Sequence, residues 1–160
     1  MLRTPVHITP LSERDIPALT RIMSHSLPWT RYQITEAAAR RLWWDALATA
    51  ANVVVARLDG QTVGFAWYVE HGGFGLGGYL KLLGVQATAR GHGVGGALLE
   101  HVEWWAVQQG QRDLFLLVSD FNTAAQMFYQ ARGYTRVGEI PEFVAPGISE
   151  LIFRKRLVID

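Results

Sequence analysis

Six residues near the middle of the chain, Arg90-Gly91-His92-Gly93-Val94-Gly95, constrain it more than any other stretch. Before them, Tyr79-Leu80-Lys81-Leu82-Leu83-Gly84-Val85 is an apolar run of strand length. After them, apolar residues recur at Val94, Leu98, Val102 and Trp105, a helical spacing that stops at Gly110. The segment reads as strand, glycine-rich turn, helix. Gly91, Gly93, Gly95 and Gly96 leave backbone N–H groups uncovered at the positive end of a helix dipole, where a pyrophosphate is the natural guest. A single glycine there would be read as turn geometry alone; four between a strand and a helix point to an anion cradle.

Two patterns fit the turn. Gly91-x-Gly93-x-x-Gly96 satisfies the dinucleotide-binding fingerprint, with Asp113 near the distance expected of a ribose-binding acid. Arg90-x-x-Gly93-x-Gly95 instead resembles motif A of the GCN5-related N-acetyltransferases (GNAT), which bind acetyl-CoA by its pyrophosphate. Three features favour the second. Gln86 to Ala89 intervene between strand and first glycine, where a dinucleotide fold turns almost at once; Asp113 would begin the next strand rather than end it; and too little chain follows to supply the remaining βαβ units.

A second signature strengthens the resemblance. Asn122-Thr-Ala-Ala-Gln-Met-Phe-Tyr129-Gln-Ala-Arg-Gly133-Tyr134 is similar to the family's N-x-x-A-x-x-x-Y-x-x-x-G followed by Phe or Tyr. One helix and one strand separate it from motif A, as in the family. In this short helix Thr123 and Gln126 read as a capping box, which leaves the Asn122 side chain available, and Asn122 and Tyr129 project to one side two turns apart. Ala124, Met127, Phe128 and Ala131 read as the core-facing stripe.

The element order β-α-α-β-β-β-α-β-α-β-β suits the same family. Val6 to Pro10 is the first strand, Ser12 and Asp15 open the first helix, and a second helix runs from about Thr35 to Ala50. Asp59-Gly60 joins Asn52–Leu58 to Thr62–Val69 as a hairpin. His71 to Gly78 is rich enough in glycine to read as a loop with Phe74 and Leu76 at its tip. The expectation is one domain over residues 1–160, of α/β (α+β) class: a GNAT-like mixed sheet of about seven strands, flanked by about four helices, with splayed central strands.

The resemblance implies the following roles. Backbone groups of Leu83, Gly84 and Val85 pair with the pantetheine arm, and the Val85 N–H faces the developing oxyanion. Arg90, Gly91, His92, Gly93, Val94, Gly95 and Gly96 hold the pyrophosphate, Asn122 bonds the pantetheine end, and Tyr129 lies near the thioester sulfur as general acid. The usual general bases are absent: the positions that carry glutamate in two branches of the family hold Tyr79 and Leu117 here. Glu70 and His71 are the nearest substitutes, with Asp120 and Glu150 behind them, each expected at the surface. Trp29, Tyr32, Trp67, Tyr68 and Phe74 are the acceptor-side candidates, with Phe143 beyond them. An amine with an apolar body would suit them; recognition through Glu139 or Glu142 would favour a polyamine or aminoglycoside.

Composition narrows the remainder. No cysteine is present, which excludes a cysteine acyl-enzyme and thiolate zinc, and the five histidines show no metal-ligand spacing. A formal charge of +1 gives no electrostatic case for nucleic acid. No apolar run reaches membrane-spanning length, and Met1-Leu2-Arg3-Thr4-Pro5 lacks a signal-peptide core, so a cytoplasmic protein is expected. The reading is an acetyl-CoA-dependent N-acetyltransferase acting on a small-molecule primary amine without metal, with a non-catalytic acyl-CoA-binding module on the same fold as the alternative. The two C-terminal strands offer an edge for homodimer pairing.

Overall fold

The computed structural model describes residues 4–158, so Met1, Leu2 and Arg3 of the N-terminal reading lie outside it. In chain order the elements are β1 (His7–Pro10), α1 (Ile16–Ser24), α2 (Glu36–Ala48), β2 (Val53–Leu58), β3 (Gln61–Gly73), β4 (Gly77–Val85), α3 (Val94–Gln108), β5 (Asp113–Ser119), α4 (Thr123–Gln130), β6 (Thr135–Ile140) and β7 (Glu150–Arg156). Seven strands pair in the order β1-β2-β3-β4-β5-β7-β6. The chain forms two compact units, each from two stretches: one runs through Tyr68 and resumes over Leu82–Val102, the other takes Val69–Lys81 and Glu103 onward.

In the first unit, local chemistry places the helices. Ser12 and Asp15 form the expected capping box, which opens a short 3-10 turn (Glu13–Asp15) leading into α1. Thr35 caps α2, its hydroxyl accepting from Ala38 N at 3.1 Å. Asp59 and Gly60, with φ of 47° and 77°, make the left-handed pair that a two-residue β2–β3 hairpin requires. Asp15 also ties this unit together. Its fully buried carboxylate accepts from Ser12 N (2.9 Å), Ser12 Oγ (2.7 Å), Thr62 Oγ1 (2.7 Å) and Arg57 Nη2 (2.6 Å). Burial pushes its pKa up, but the hydrogen bonds from Thr62 and Ser12 and the Arg57 charge outweigh this and hold it below the usual carboxylate range.

Trp43, Phe65, Leu19 and Val55 centre the core beneath that network. Trp43 meets Phe65 edge-on at 4.7 Å and Trp29 tilts against the same ring at 5.6 Å. Two glycines in the strands make this packing feasible. A Cβ on Gly84 would lie 2.5 Å from Phe65 Cζ and 2.8 Å from Trp29 Cη2. A Cβ on Gly64 would lie 3.1 Å from both Val94 Cγ1 and Leu98 Cδ1, so this position lets the first turns of α3 approach β3.

In the second unit, β4 runs parallel to β5 and β7 lies antiparallel between β5 and β6. Register divides this sheet into two faces, because paired residues share a face and neighbours along a strand alternate. Leu114, Leu116, Val118, Leu151 and Phe153 form one face and are all buried. Phe115, Leu117 and Ser119, with Tyr79, Arg154, Ile152 and Glu150 opposite them, form the other. Of these, Tyr79, Phe115, Leu117 and Ile152 are only half-buried. Tyr134 Oη and Lys155 Nζ both donate to Glu103 Oε1 at 2.9 Å, fastening the last turns of α3 to the buried face.

Two sequence expectations are corrected here. The glycine-rich stretch from His71 to Gly78 is mostly strand, with only Phe74, Gly75 and Leu76 in the turn between β3 and β4. Its glycines make room for an aromatic ring: a Cβ on Gly73 would lie 2.5 Å from Phe115 Cδ2, and one on Gly77 2.8 Å from Phe115 Cε2. In α4, the buried residue is Tyr129, whereas Ala124, Met127 and Ala131 are exposed and Phe128 is half-buried. The helix is short enough that one tyrosine turned inward, toward Tyr134 at 5.6 Å, fixes its rotation.

Candidate functional site

The glycine turn belongs to the first unit and has the form an anion cradle needs. Gly91 and Gly93 hold φ of 80° and 81°, a left-handed conformation that presents successive amides outward. Nothing lies within 4 Å of a Cβ placed on Gly91, and residues 90–93 are exposed. The first N–H groups of α3 lack intrahelical acceptors, and Ala97 N begins the ladder by donating to Gly93 O at 3.0 Å. His92 folds back on its own turn, with Nδ1 3.1 Å from Arg90 O and 3.2 Å from Ala89 O. With two carbonyls as neighbours, that nitrogen carries the proton. Beside the turn a concavity of about 450 Å³ is lined by Gln86, Thr88, Ala89, Gly91, His92 and the β2–β3 hairpin.

Ahead of the turn, the β4–β5 ladder among the described residues pairs Gly78–Leu80 with Leu114–Leu116. Leu83, Gly84 and Val85 lie beyond it on β4, and Gln86 N donates to Val63 O at 2.7 Å.

The second signature lies in the other unit. Asn122, not Thr123, is the N-cap of α4: its Oδ1 accepts from Ala125 N at 3.2 Å. Gln126 does not close a box but donates from Nε2 to Asp120 O (3.0 Å) and Ser119 O (3.3 Å). Asparagine is as good a cap as threonine, and Gln126 reaches the free carbonyls at the end of β5. The Asn122 carbonyl oxygen is thus committed to the helix. Tyr129 is buried, its ring edge-on to Phe128 (5.1 Å) and Tyr134 (5.6 Å). Burial pushes the Tyr129 hydroxyl far above its ordinary pKa, so it stays protonated throughout the neutral range. A proton donor needs that state.

The acceptor-side candidates divide. Trp29 is a core residue beneath Gly84, and Trp67 packs half-buried against Trp43 at 6.1 Å. Tyr32 is half-buried in the α1–α2 connection. Phe74 stands on the β3–β4 turn, 73% exposed, with its ring edge-on to Phe115 at 5.2 Å. Glu139 bonds Arg136 and Ser149 Oγ, and Glu142 Oε1 accepts from Gly147 N, so both serve the β6–β7 segment.

The carboxylates separate as well. Glu70 is exposed at the surface and lies 3.3 Å from His71 Nε2, whose Nδ1 is 3.2 Å from the buried Gln111 Nε2. Glu150 overturns the expectation of a surface residue: it is 5% exposed, and Ser119 Oγ lies 3.1 and 3.2 Å from its two oxygens. Across the same face, burial and then the Glu150 charge push the Tyr79 hydroxyl upward. Period-two alternation along Glu150, Ile152 and Arg154 signals the face, but only the fold shows that its first member is covered. Among the described residues no group of three His, Asp or Glu side chains could hold a metal ion, and no helix is long and apolar enough to cross a membrane.

Comparison with known proteins bears on the family and the fold. The profile of the Acetyltransferase (GNAT) family matches residues 16–134. A mycothiol acetyltransferase from Amycolatopsis mediterranei is 29% identical over 135 residues, covering 77% of this chain and 44% of that protein, so the chain spans less than half of that relative. Among solved structures, a GNAT-family protein from Desulfovibrio desulfuricans superposes with a TM-score of 0.81 at 22% identity, over 96% of this chain and all of the other. A ribosomal-protein-alanine N-acetyltransferase from Brucella melitensis superposes with a TM-score of 0.75 at 23% identity, over 94% and 99%. At those identities the likeness establishes the fold.

Proposed function

The chain belongs to the GNAT acetyltransferase family, and from that premise we propose that it transfers an acetyl group from acetyl-CoA directly to the primary amine of a small molecule. The observation that carries the proposal is the exposed turn from Arg90 to Gly93, with its two left-handed glycines at the start of α3. It fits a pyrophosphate, which the amides from Gly91 to Gly96 would bind while Arg90 adds a cation. Acetyl-CoA supplies the acetyl group as an activated thioester.

This chain's own residues do the rest. The backbone of Leu83, Gly84 and Val85 aligns the pantetheine arm, and the Val85 N–H stabilises the oxygen on which charge develops. The Asn122 amide nitrogen donates to the same arm. Tyr129 gives its phenolic proton to the departing sulfur; burial keeps the hydroxyl protonated until the sulfur leaves and draws a proton back to it afterwards. No protein nucleophile is required, in keeping with a chain without cysteine.

The test has two stages. Isothermal titration with acetyl-CoA, with NADH as control, should show saturable binding of the first alone. Tyr129→Phe should then lower kcat toward the best of a panel of amines (tyramine, tryptamine, spermidine and glucosamine) about 10²- to 10³-fold while acetyl-CoA affinity holds. Unchanged turnover would remove Tyr129 from the acid role. Binding with no thiol release for any amine would instead favour the non-catalytic acyl-CoA-binding module.

A further inference from the structure

The second unit carries a buried carboxylate that the reading above does not use, and it stands at one end of an incompletely covered apolar face. Tyr79, Phe115, Leu117 and Ile152 share that face and are half-buried, while Leu114, Leu116, Val118, Leu151 and Phe153 on the opposite face are buried. The Phe74 ring stands over Phe115 from the β3–β4 turn. At the far end lie Asp113 and Arg154, which neutralise each other at 2.7 Å. At the near end lies Glu150, 5% exposed, at the carboxyl end of β5.

We infer that Glu150 is the general base of the transfer, taking a proton from the ammonium of an amine whose apolar body lies along Tyr79, Phe115, Leu117 and Ile152. This rests on the acetyl-transfer reading. The argument is charge complementarity in a site of low polarity. An apolar surface holds the body of the acceptor, and an anion withdrawn from solvent holds and deprotonates its cationic end. Ser119 Oγ lies between the two carboxylate oxygens, at 3.1 and 3.2 Å, and fixes the group in place. Charged and titratable groups around it include Tyr79 on β4, and Asp120 beyond β5 and Glu139 on β6, which flank the preceding residue Ser149. Asp120 Oδ2 accepts from Ser149 N at 2.9 Å, and Glu139 bonds Ser149 Oγ and Arg136. Glu70, exposed and beside His71, lacks this environment.

Tyr129 is on the opposite side of the strand. Its ring meets Tyr134, which lies under Lys155, and Lys155 stands opposite Leu114 on the enclosed face. The proton balance follows. Glu150 takes one proton from the ammonium, and the freed lone pair forms the C–N bond as the C–S bond breaks. Tyr129 gives its proton to the departing sulfur and regains one from the new amide nitrogen through water. Glu150 then passes its proton to solvent, so one proton leaves per turnover.

Tyramine and hydroxylamine test this together, because tyramine is an ammonium at pH 7 and hydroxylamine is largely neutral and needs no base. Glu150→Gln should lower kcat/KM for tyramine at pH 7 about 10²- to 10³-fold, leave hydroxylamine within a few-fold, and displace the acid limb of the tyramine pH profile upward to the ionisation of the amine itself. Acetyl-CoA affinity should not change. Glu150→Asp, which keeps the carboxylate, should retain the acid limb of the unmodified protein, and the unmodified protein should acetylate tyramine at pH values well below the ionisation of its ammonium, whatever either variant does to folding. Equal losses for both amines, an unchanged limb, or no use of tyramine by a protein that acetylates other amines would overturn the inference alone. Acetyl-CoA binding without transfer to any amine would overturn the acetyl-transfer reading, and the inference with it.

Discussion

Replacing Asp15 by asparagine isolates the network that fixes α1 to the β2–β3 hairpin. Asparagine has nearly the same shape, so the change is electrostatic. The native carboxylate accepts two hydrogen bonds on each oxygen, from Thr62 and Arg57 on one and from Ser12 N and Oγ on the other. An amide presents an NH2 to one of those pairs whichever way it turns, so an obligate donor, Ser12 N or Arg57 Nη2, then faces a donor. Arg57, whose side chain is 11% exposed, keeps its charge without the partner and cannot recover full hydration. Removing one partner of a buried pair costs about 3–5 kcal/mol, which for a chain of this size lowers Tm by about 6–20 °C.

The pH dependence carries the sign. The Asp15 pKa is lowered in the folded state, so its stabilisation is complete above the unfolded carboxylate value of about 3.9 and is lost as pH falls through the lower folded value. Thermal melts by circular dichroism should show the full gap between wild type and Asp15→Asn at pH 7 and a narrowing gap below about pH 4. A gap under about 2 °C at neutral pH, or one of constant size into acid, would refute the reasoning.

Gly93→Val forces a β-branched residue into a φ of 81° and covers the amides of the turn. The strain costs about 1–2 kcal/mol, and acetyl-CoA affinity by titration should fall at least about tenfold; an unaltered Kd would remove this turn from the cofactor site. Gly84→Ala drives a methyl to 2.5 Å from Phe65 Cζ and 2.8 Å from Trp29 Cη2, two rings already packed on each other. Overpacking there should cost about 1–3 kcal/mol in a denaturant titration, and a variant as stable as wild type would show that the rings can move aside.

Much of this was legible where a local rule decides the structure. The Ser12–Asp15 box, the start of α2 near Thr35, the Asp59-Gly60 hairpin and the Arg90–Gly95 turn depend on residues within a few positions of one another. Reading failed where a distant residue decides. The glycines around Phe74 look like loop residues until Phe115 is seen to occupy the space they leave. Asn122 and Thr123 both satisfy cap chemistry, and the choice between them depends on Gln126 finding the carbonyls of Ser119 and Asp120. Glu150 looked like a surface charge because its cover is tertiary, supplied across the sheet from Ser119 on β5.

The position of β7 also sets a timetable. In space it lies between β5 and β6, yet it is synthesised after both, and β6 pairs with β7. Until the ribosome has released the segment beyond Ser149, β6 has no strand to join and β5 presents a raw edge. The first unit, complete once Val102 has emerged, can condense well before then. The second must wait for a late, non-local strand insertion, the slow kind of pairing. Since Glu150 is the first residue of that strand, its carboxylate is buried only in the step that closes the sheet.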